Sequence, residues 1–266
     1  MPHDDLLALA RSVAEEAAAL IRLRRAGGVA VADVKSSPVD VVTEVDREAE
    51  SLIRRRLAEA RPDDGFLGEE SGAADGSSGL TWVVDPIDGT VNFLYGIPHY
   101  AVSIAVVEGE PDPQRWRALA GCVVNAGTGE VFEATAGGGA FLDGERLTVA
   151  EPVDLSQALV ATGFAYDAAV RAEQGALVAS LVSRVRDIRR MGTASLDLCA
   201  VAAGRMDAYV ERTLKPWDHA AGALIAAEAG ALVKGAGDAA PDHELVLAAH
   251  PRLAADLERL LAELRG

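Results

Sequence analysis

The sequence predicts an α/β protein whose first half is α+β. Three observations carry that reading: two amphipathic helical stretches lead, short β-rich runs fill the middle, and helices and strands alternate after Glu151-Pro152. A boundary at that dipeptide gives an α+β unit over 1–150 and an α/β unit over 151–266, in keeping with about 150 residues per domain.

From Asp4 to Arg25, apolar residues recur at Leu6, Leu9, Ala10, Val13, Ala17, Leu20 and Ile21, one face of a helix that Gly27-Gly28 ends. Thr43 can cap a second helix, whose buried face holds Ala49, Leu52, Ile53 and Leu57 before Arg61-Pro62-Asp63-Asp64-Gly65 breaks it. Strands follow at Thr81–Val84, Tyr100–Val107, Leu119–Asn125, Glu130–Ala134 and Ala140–Leu142. The second unit reads as an apolar run near Leu159, a helix over 168–185, a strand over 187–190 and a helix over 194–203. A strand over 208–211, a helix over 220–229, a strand over 245–248 and a terminal helix complete it. The Gly-rich stretch Gly72 to Gly79 reads as a flexible surface loop.

Lys and Arg number 25 against 41 Asp and Glu, a net charge of −16. Such a field repels nucleic acid and anionic membrane surfaces, so neither is an expected partner. A small anion can still bind where metal ions or helix N-termini reverse the field locally. No apolar run reaches the ~18 residues of a membrane span, and Met1 to Asp5 lacks the basic and apolar regions of a secretory signal. The expected location is cytoplasmic. Cys122 and Cys199 each lie in an apolar stretch and are expected to be buried thiols.

The chemistry concentrates at Trp82-Val83-Val84-Asp85-Pro86-Ile87-Asp88-Gly89-Thr90, where an apolar strand runs into two carboxylates across a proline. Pro86 fixes φ and Gly89 opens backbone geometry closed to other residues, so this loop can hold two carboxylates and a carbonyl on one side. Hard dications such as Mg²⁺ take such oxygens; a plain Asp-Pro-x-Asp-Gly turn is the other reading. Gly68-Glu69-Glu70-Ser71 and Trp217-Asp218 are further acidic sites, although Glu69 or Glu70 could be solvated and Asp218 could be a helix N-cap. Asp46, three residues after Thr43, also fits a capping box.

These segments together resemble the inositol monophosphatase family of Mg²⁺-dependent phosphatases, which share their fold with fructose-1,6-bisphosphatases. Val34-Lys35-Ser36-Ser37-Pro38, Asp40-Val41-Val42-Thr43 with Asp46, Gly68-Glu69-Glu70-Ser71 and Asp85 to Phe93 stand in the family's order and spacing. So do Gly96-Ile97-Pro98-His99, Gly192-Thr193-Ala194-Ser195 and Pro216-Trp217-Asp218. The resemblance implies a layered α-β-α-β-α sandwich. It also implies two or three Mg²⁺ held by Glu69, Asp85, the Ile87 carbonyl, Asp88 and Asp218, with Asp46 ordering water on the most weakly held ion. Thr90 would orient the attacking water and Glu69 accept its proton, while Gly89 and Thr90 amides and helix N-termini near Thr90, Ala194 and Asp218 hold phosphate. Glu211, Asp88 and the backbone near Ala194 would meet substrate hydroxyls.

The charge balance agrees with that set. Five carboxylates and a phosphate monoester of about −2 leave roughly −1 with three Mg²⁺ and about −7 without. Lys35 could screen phosphate or face solvent, and His99, His219 and His250 form no metal-ligand pattern. Two local departures from the family, Ala249-His250-Pro251 and the polar stretch Gly235 to Asp242, touch no proposed ligand. The expected activity is hydrolysis of inositol 1-phosphate, a small phosphorylated polyol, and the family resemblance implies lithium sensitivity and a homodimer. Histidinol phosphate, fructose 1,6-bisphosphate and 3′-phosphoadenosine compounds are the alternative substrates, and a regulatory protein on the same scaffold is the rival from another class.

Overall fold

The structure, a computed structural model, describes residues 3–27, 31–34 and 41–265. Helix α1 (Asp4–Ala26) buries Ala10, Val13, Ala14, Ala17, Ala18 and Ile21, the face its periodicity predicts. Strands β1 (Val31–Val34) and β2 (Val41–Thr43) pair antiparallel before helix α2 (Glu44–Ala60). Thr43 caps α2: its hydroxyl accepts the Val45 N–H at 3.2 Å, and Asp46 accepts the Thr43 N–H at 2.9 Å. That reciprocal arrangement is a capping box.

The first sheet contains β3 (Gly65–Gly68), β4 (Gly72–Ala74), β5 (Leu80–Asp88), β6 (Ala101–Gly109), β7 (Trp116–Asn125), β8 (Val131–Thr135), β9 (Gly139–Leu142) and β10 (Glu145–Arg146). Its spatial order is β10-β9-β8-β7-β6-β5-β3-β4, antiparallel except where β3 runs parallel to β5. A short helix α3 (Thr90–Tyr95) leaves the end of β5. The second sheet contains β11 (Leu159–Thr162), β12 (Asp187–Arg189), β13 (Ala208–Glu211), β14 (Leu232–Lys234) and β15 (Val246–Ala249) in the order β12-β11-β13-β15-β14. Helices α4 (Ala168–Leu181), α5 (Ala194–Ala202), α6 (Pro216–Glu228) and α7 (Pro251–Arg265) surround it.

Strand alternation sorts these elements into layers. Trp82 and Val84 of β5 face α1 and α2, whereas Val83 between them faces α5 and α6. The far side of the second sheet packs Val160, Val210 and Leu247 against Leu181 of α4 and Leu257 of α7. The result is five layers, α1/α2, first sheet, α5/α6, second sheet and α4/α7. The middle helices are therefore covered on both sides, and α5 buries every residue but Ala200. Small residues permit the close approach: a Cβ on Gly121 of β7 would stand 3.0 Å from Ala221 Cα of α6. One on Gly222 would meet the Ser195 carbonyl of α5 at 3.0 Å.

Four sequence expectations need correction, one being the end of α4, which stops at Leu181 rather than 185. Gly72 to Gly79 is not all loop, since Gly72–Ala74 pairs with β3 as an edge strand too short for its period to show. Helix α6 begins at Pro216 rather than Ala220, because proline suits the first helical turn. Strand β5 continues past Val84 to Asp88, carrying the acidic loop on the sheet itself. Cys122 and Cys199 are buried free thiols as expected.

Candidate active site

The acidic loop owes its geometry to a β-bulge. Asp85 pairs with Ser103 and Asp88 with Ala101, so three steps along β5 match two along β6. Residues three apart on a regular strand point to opposite faces; the extra residue turns Asp85 and Asp88 to the same side. Pro86 lacks the N–H that a regular ladder would use and so suits the bulge. The Ile87 N–H donates to Asp85 Oδ1 at 3.0 Å. Gly89 then takes φ of +93°, and a Cβ there would collide with Thr193 Oγ1, so both the turn and the approach of α5 need glycine.

Two other segments bring their carboxylates to this loop. Because β3 runs parallel to β5, the residue after β3 lies beside the end of β5, where the Glu69 N–H donates to the Val84 carbonyl at 3.2 Å. Glu50 of α2, 2% exposed, fixes that turn by accepting the Glu70 and Ser71 N–H groups at 2.8 and 2.7 Å. On α6, Asp218 accepts the Lys215 N–H at 2.6 Å. It is thus the third residue of the helix rather than its N-cap. Asp88 Oδ2 accepts both the Ser195 N–H at 2.7 Å and the Ser195 hydroxyl at 2.6 Å, which ties β5 to the first turn of α5.

The sequence-predicted residues Glu69, Asp85, Ile87, Asp88, Gly89, Thr90, Ala194, Glu211 and Asp218 all line one cleft of about 430 Å³. Asp46 stands behind the wall, fully buried, with Oδ2 accepting from the Thr43 N–H and hydroxyl and Oδ1 3.0 Å from the Thr90 hydroxyl. Thr90 Oγ1 is also 3.0 Å from the Ile87 carbonyl. Lys35 and the Ser36-Ser37-Pro38 run lie outside the described residues. Glu50 and Ser195 were not singled out from sequence. Ser195 ends a quoted motif and could have been found there, whereas nothing marks Glu50 among the other acidic residues of α2.

Crowding of like charges dominates the electrostatics. Burial raises the Asp85 carboxyl well above the usual range, and Glu69, Asp88 and Asp218 raise it further. Asp218 is raised by burial and then by Asp88 and Glu69. Asp88 is pushed up to about 6 by burial, against the two Ser195 donors that favour its charged form. Glu211, at the end of β13, accepts the Tyr209 hydroxyl at 2.6 Å and is pushed up to about 7, mainly by burial. Against this charge the cleft sets the N-terminal ends of α3, α5 and α6, represented by Thr90, Ala194 and Lys215, together with the Arg190 side chain. The α5 and α6 ends favour an anion.

Among the described residues no three acidic, thiol or imidazole side chains stand as a closed metal-ligand group. The donor set nevertheless fits Mg²⁺: carboxylate and carbonyl oxygens only, whose mutual repulsion a hard dication relieves.

The profile of the inositol monophosphatase family matches residues 3–265. A Mycobacterium leprae protein named inositol-1-monophosphatase is 47% identical over 292 aligned residues, covering 99% of this chain and 95% of that one. A Xylella fastidiosa protein named Nus factor SuhB is 43% identical over 208 residues, covering 75% of this chain and 70% of that one. The solved structure of Mycobacterium tuberculosis SuhB is similar with a TM-score of 0.82 at 45% identity, covering 98% of this chain and 97% of that one.

Proposed function

Because the chain belongs to the inositol monophosphatase family of phosphatases, we propose that it hydrolyses inositol 1-phosphate to inositol and phosphate in a Mg²⁺-dependent reaction. The observation that carries this reading is the convergence of Glu69, Asp85, Asp88 and Asp218 on one cleft. These four, with the Ile87 carbonyl, would hold two or three Mg²⁺. When bound, Mg²⁺ supplies Lewis-acid charge that offsets the phosphate oxygens and lowers the pKa of water.

The chain's own groups do the rest. Thr90 directs its hydroxyl proton to Asp46 or the Ile87 carbonyl, leaving an oxygen lone pair free to orient the attacking water. Glu69 accepts that water's proton as its oxygen attacks phosphorus and the ester P–O bond breaks, and the departing inositol oxygen takes a proton from solvent. Asp46, assigned to metal-ordered water by resemblance, serves in this reading as the residue that orients Thr90. Gly89 and Thr90 amides and the α5 and α6 ends bind phosphate, while Glu211, Asp88, Asp218 and the Ala194 backbone meet the alcohol's hydroxyls. Lithium inhibition and a homodimer belong to the same proposal, the latter to be checked by light scattering.

A regulatory role on this scaffold is the second reading, because the Xylella fastidiosa relative is named a Nus factor. Retention of a buried, self-repelling carboxylate set favours catalysis. Phosphate release should be followed for the wild type and Asp88→Asn over inositol 1-phosphate, histidinol phosphate, fructose 1,6-bisphosphate and a 3′-phosphoadenosine compound. Inositol 1-phosphate should give the highest kcat/KM, and the variant should lose about 100-fold or more, by analogy with removing one preorganised charge-stabilising group. Equal rates for the two proteins overturn the catalytic assignment. A lead of about tenfold (1.4 kcal/mol) by another ester overturns only the substrate.

A further inference from the structure

One layer behind the cleft, an imidazole and a carboxyl face each other with no hydrogen bond. His99 Nε2 stands 3.7 Å from Asp197 Oδ1, and Asp197 is 1% exposed. Among the described residues, neither that nitrogen nor either Asp197 oxygen has a hydrogen-bond partner. At 3.7 Å the contact is electrostatic. Burial raises the Asp197 carboxyl, while the neighbouring imidazole and, more weakly, Arg190 oppose that rise. Glu130 and Asp88 are the other carboxylates that feel His99.

Both residues sit where two helices meet the cleft. Asp197 lies in the first turn of α5, two residues beyond Ser195, and its N–H donates to the Thr193 carbonyl at 3.0 Å. His99 lies just before β6, and its carbonyl accepts from Thr193 Oγ1 and from Asn92 Nδ2 of α3, each at 2.8 Å. His99 therefore grips the start of α5 twice, by its backbone at the N-cap and by its ring at Asp197, and holds α3 as well. What moves that first turn moves Ser195, whose two donors hold Asp88.

We propose that His99 and Asp197 are a positioning pair, an imidazole–carboxyl strut that sets the first turn of α5 and thereby holds Ser195 on Asp88. Its functional consequence rests on the metal role proposed for Asp88. Removing one member strands the other inside the protein, whereas replacing both by apolar groups strands neither.

The test compares wild type, His99→Leu, Asp197→Leu and the double variant, each by melting temperature without metal and by calorimetric Mg²⁺ titration. Each single change should lower the melting temperature and raise the half-saturating Mg²⁺ concentration about fivefold or more, and the double should recover most of both losses. Asp197→Asn, which keeps the shape and leaves a carbonyl oxygen facing Nε2, should stay within about twofold of wild type in Mg²⁺ and guards against singles that fail to fold. Additive losses in the double overturn the pair. Coupled melting with no movement in Mg²⁺ overturns the positioning role. Asp88→Asn, titrated alongside, separates the two readings. If it leaves Mg²⁺ binding unchanged, the proposed metal site falls; if it abolishes binding while His99→Leu changes nothing, only the strut falls.

Discussion

The Thr90 hydroxyl and the Asp46 carboxylate meet at 3.0 Å across 44 positions of sequence, joining the start of α3 to the first turn of α2. Asp46 therefore does two things at once: it closes the capping box of α2 and fixes the rotamer of the hydroxyl that faces the cleft. Thr90→Val removes the hydroxyl at nearly constant volume. It should lower kcat about 100-fold or more with KM little changed, the range for a lost acid–base participant. It should also cost about 1–3 kcal/mol of stability by depriving a buried carboxylate of one donor. Thr90→Ser should retain most of both. Steady-state kinetics with the three proteins decides it, and a Thr90→Val rate within about threefold of wild type (under 1 kcal/mol) removes Thr90 from the mechanism.

Metal removal should act on stability as well as rate. Chelation should lower the melting temperature, because Asp85 and Asp218 are then left among like charges in a buried site. Mg²⁺ added to about 100 times its Kd should restore about 2.7 kcal/mol by mass action, a shift of several degrees for a chain of this size. A melting curve indifferent to both treatments contradicts a shared metal site.

Glu211 should impose a pH dependence of definite sign on the metal-free protein. Its carboxyl rises from an ordinary 4.5 to about 7 in the folded state, so folding favours the protonated form. That stabilisation is complete below about pH 4.5 and is lost as the pH climbs through about 7. Glu211→Gln mimics the protonated group. It should gain about 3 kcal/mol over wild type above pH ~8 and nothing near pH ~4, read from melting temperatures across that range. A pH-independent difference between the two proteins refutes the shift. If Glu211 meets substrate hydroxyls as proposed, the same variant also raises KM.

The parts of this fold that sequence reveals are those with long, clean periodicity. Helix α1 and strands β6 and β7 declare themselves through runs of apolar residues at a single period, and the Thr43 cap is visible because only its residue type and the following helix are needed. Strands β1, β2, β4 and β14 lie outside the runs that read as strands, and each pairs with a neighbour's edge over three or four residues. At the site, Asp85, Asp88 and Asp218 stand in recognisable strings. The bulge that turns Asp85 and Asp88 to one side is set by the pairing of β5 with β6, which no local pattern displays. Glu50 and the His99–Asp197 contact are likewise hidden, since each acts through partners 20 to 98 positions away.

The missing methyl at Gly121 reaches further than local packing. Helix α6 rests its middle on that bare patch of β7 and carries Asp218 near its tip, while Gly222 lets α5 lie against its other flank. The helix works as a beam whose seat height is set by the smallest side chain available. A carbon added beneath Ala221 would press on the helix one turn from Asp218, so a position with no chemistry of its own bears on whether that carboxylate and the loop of β5 stand in register.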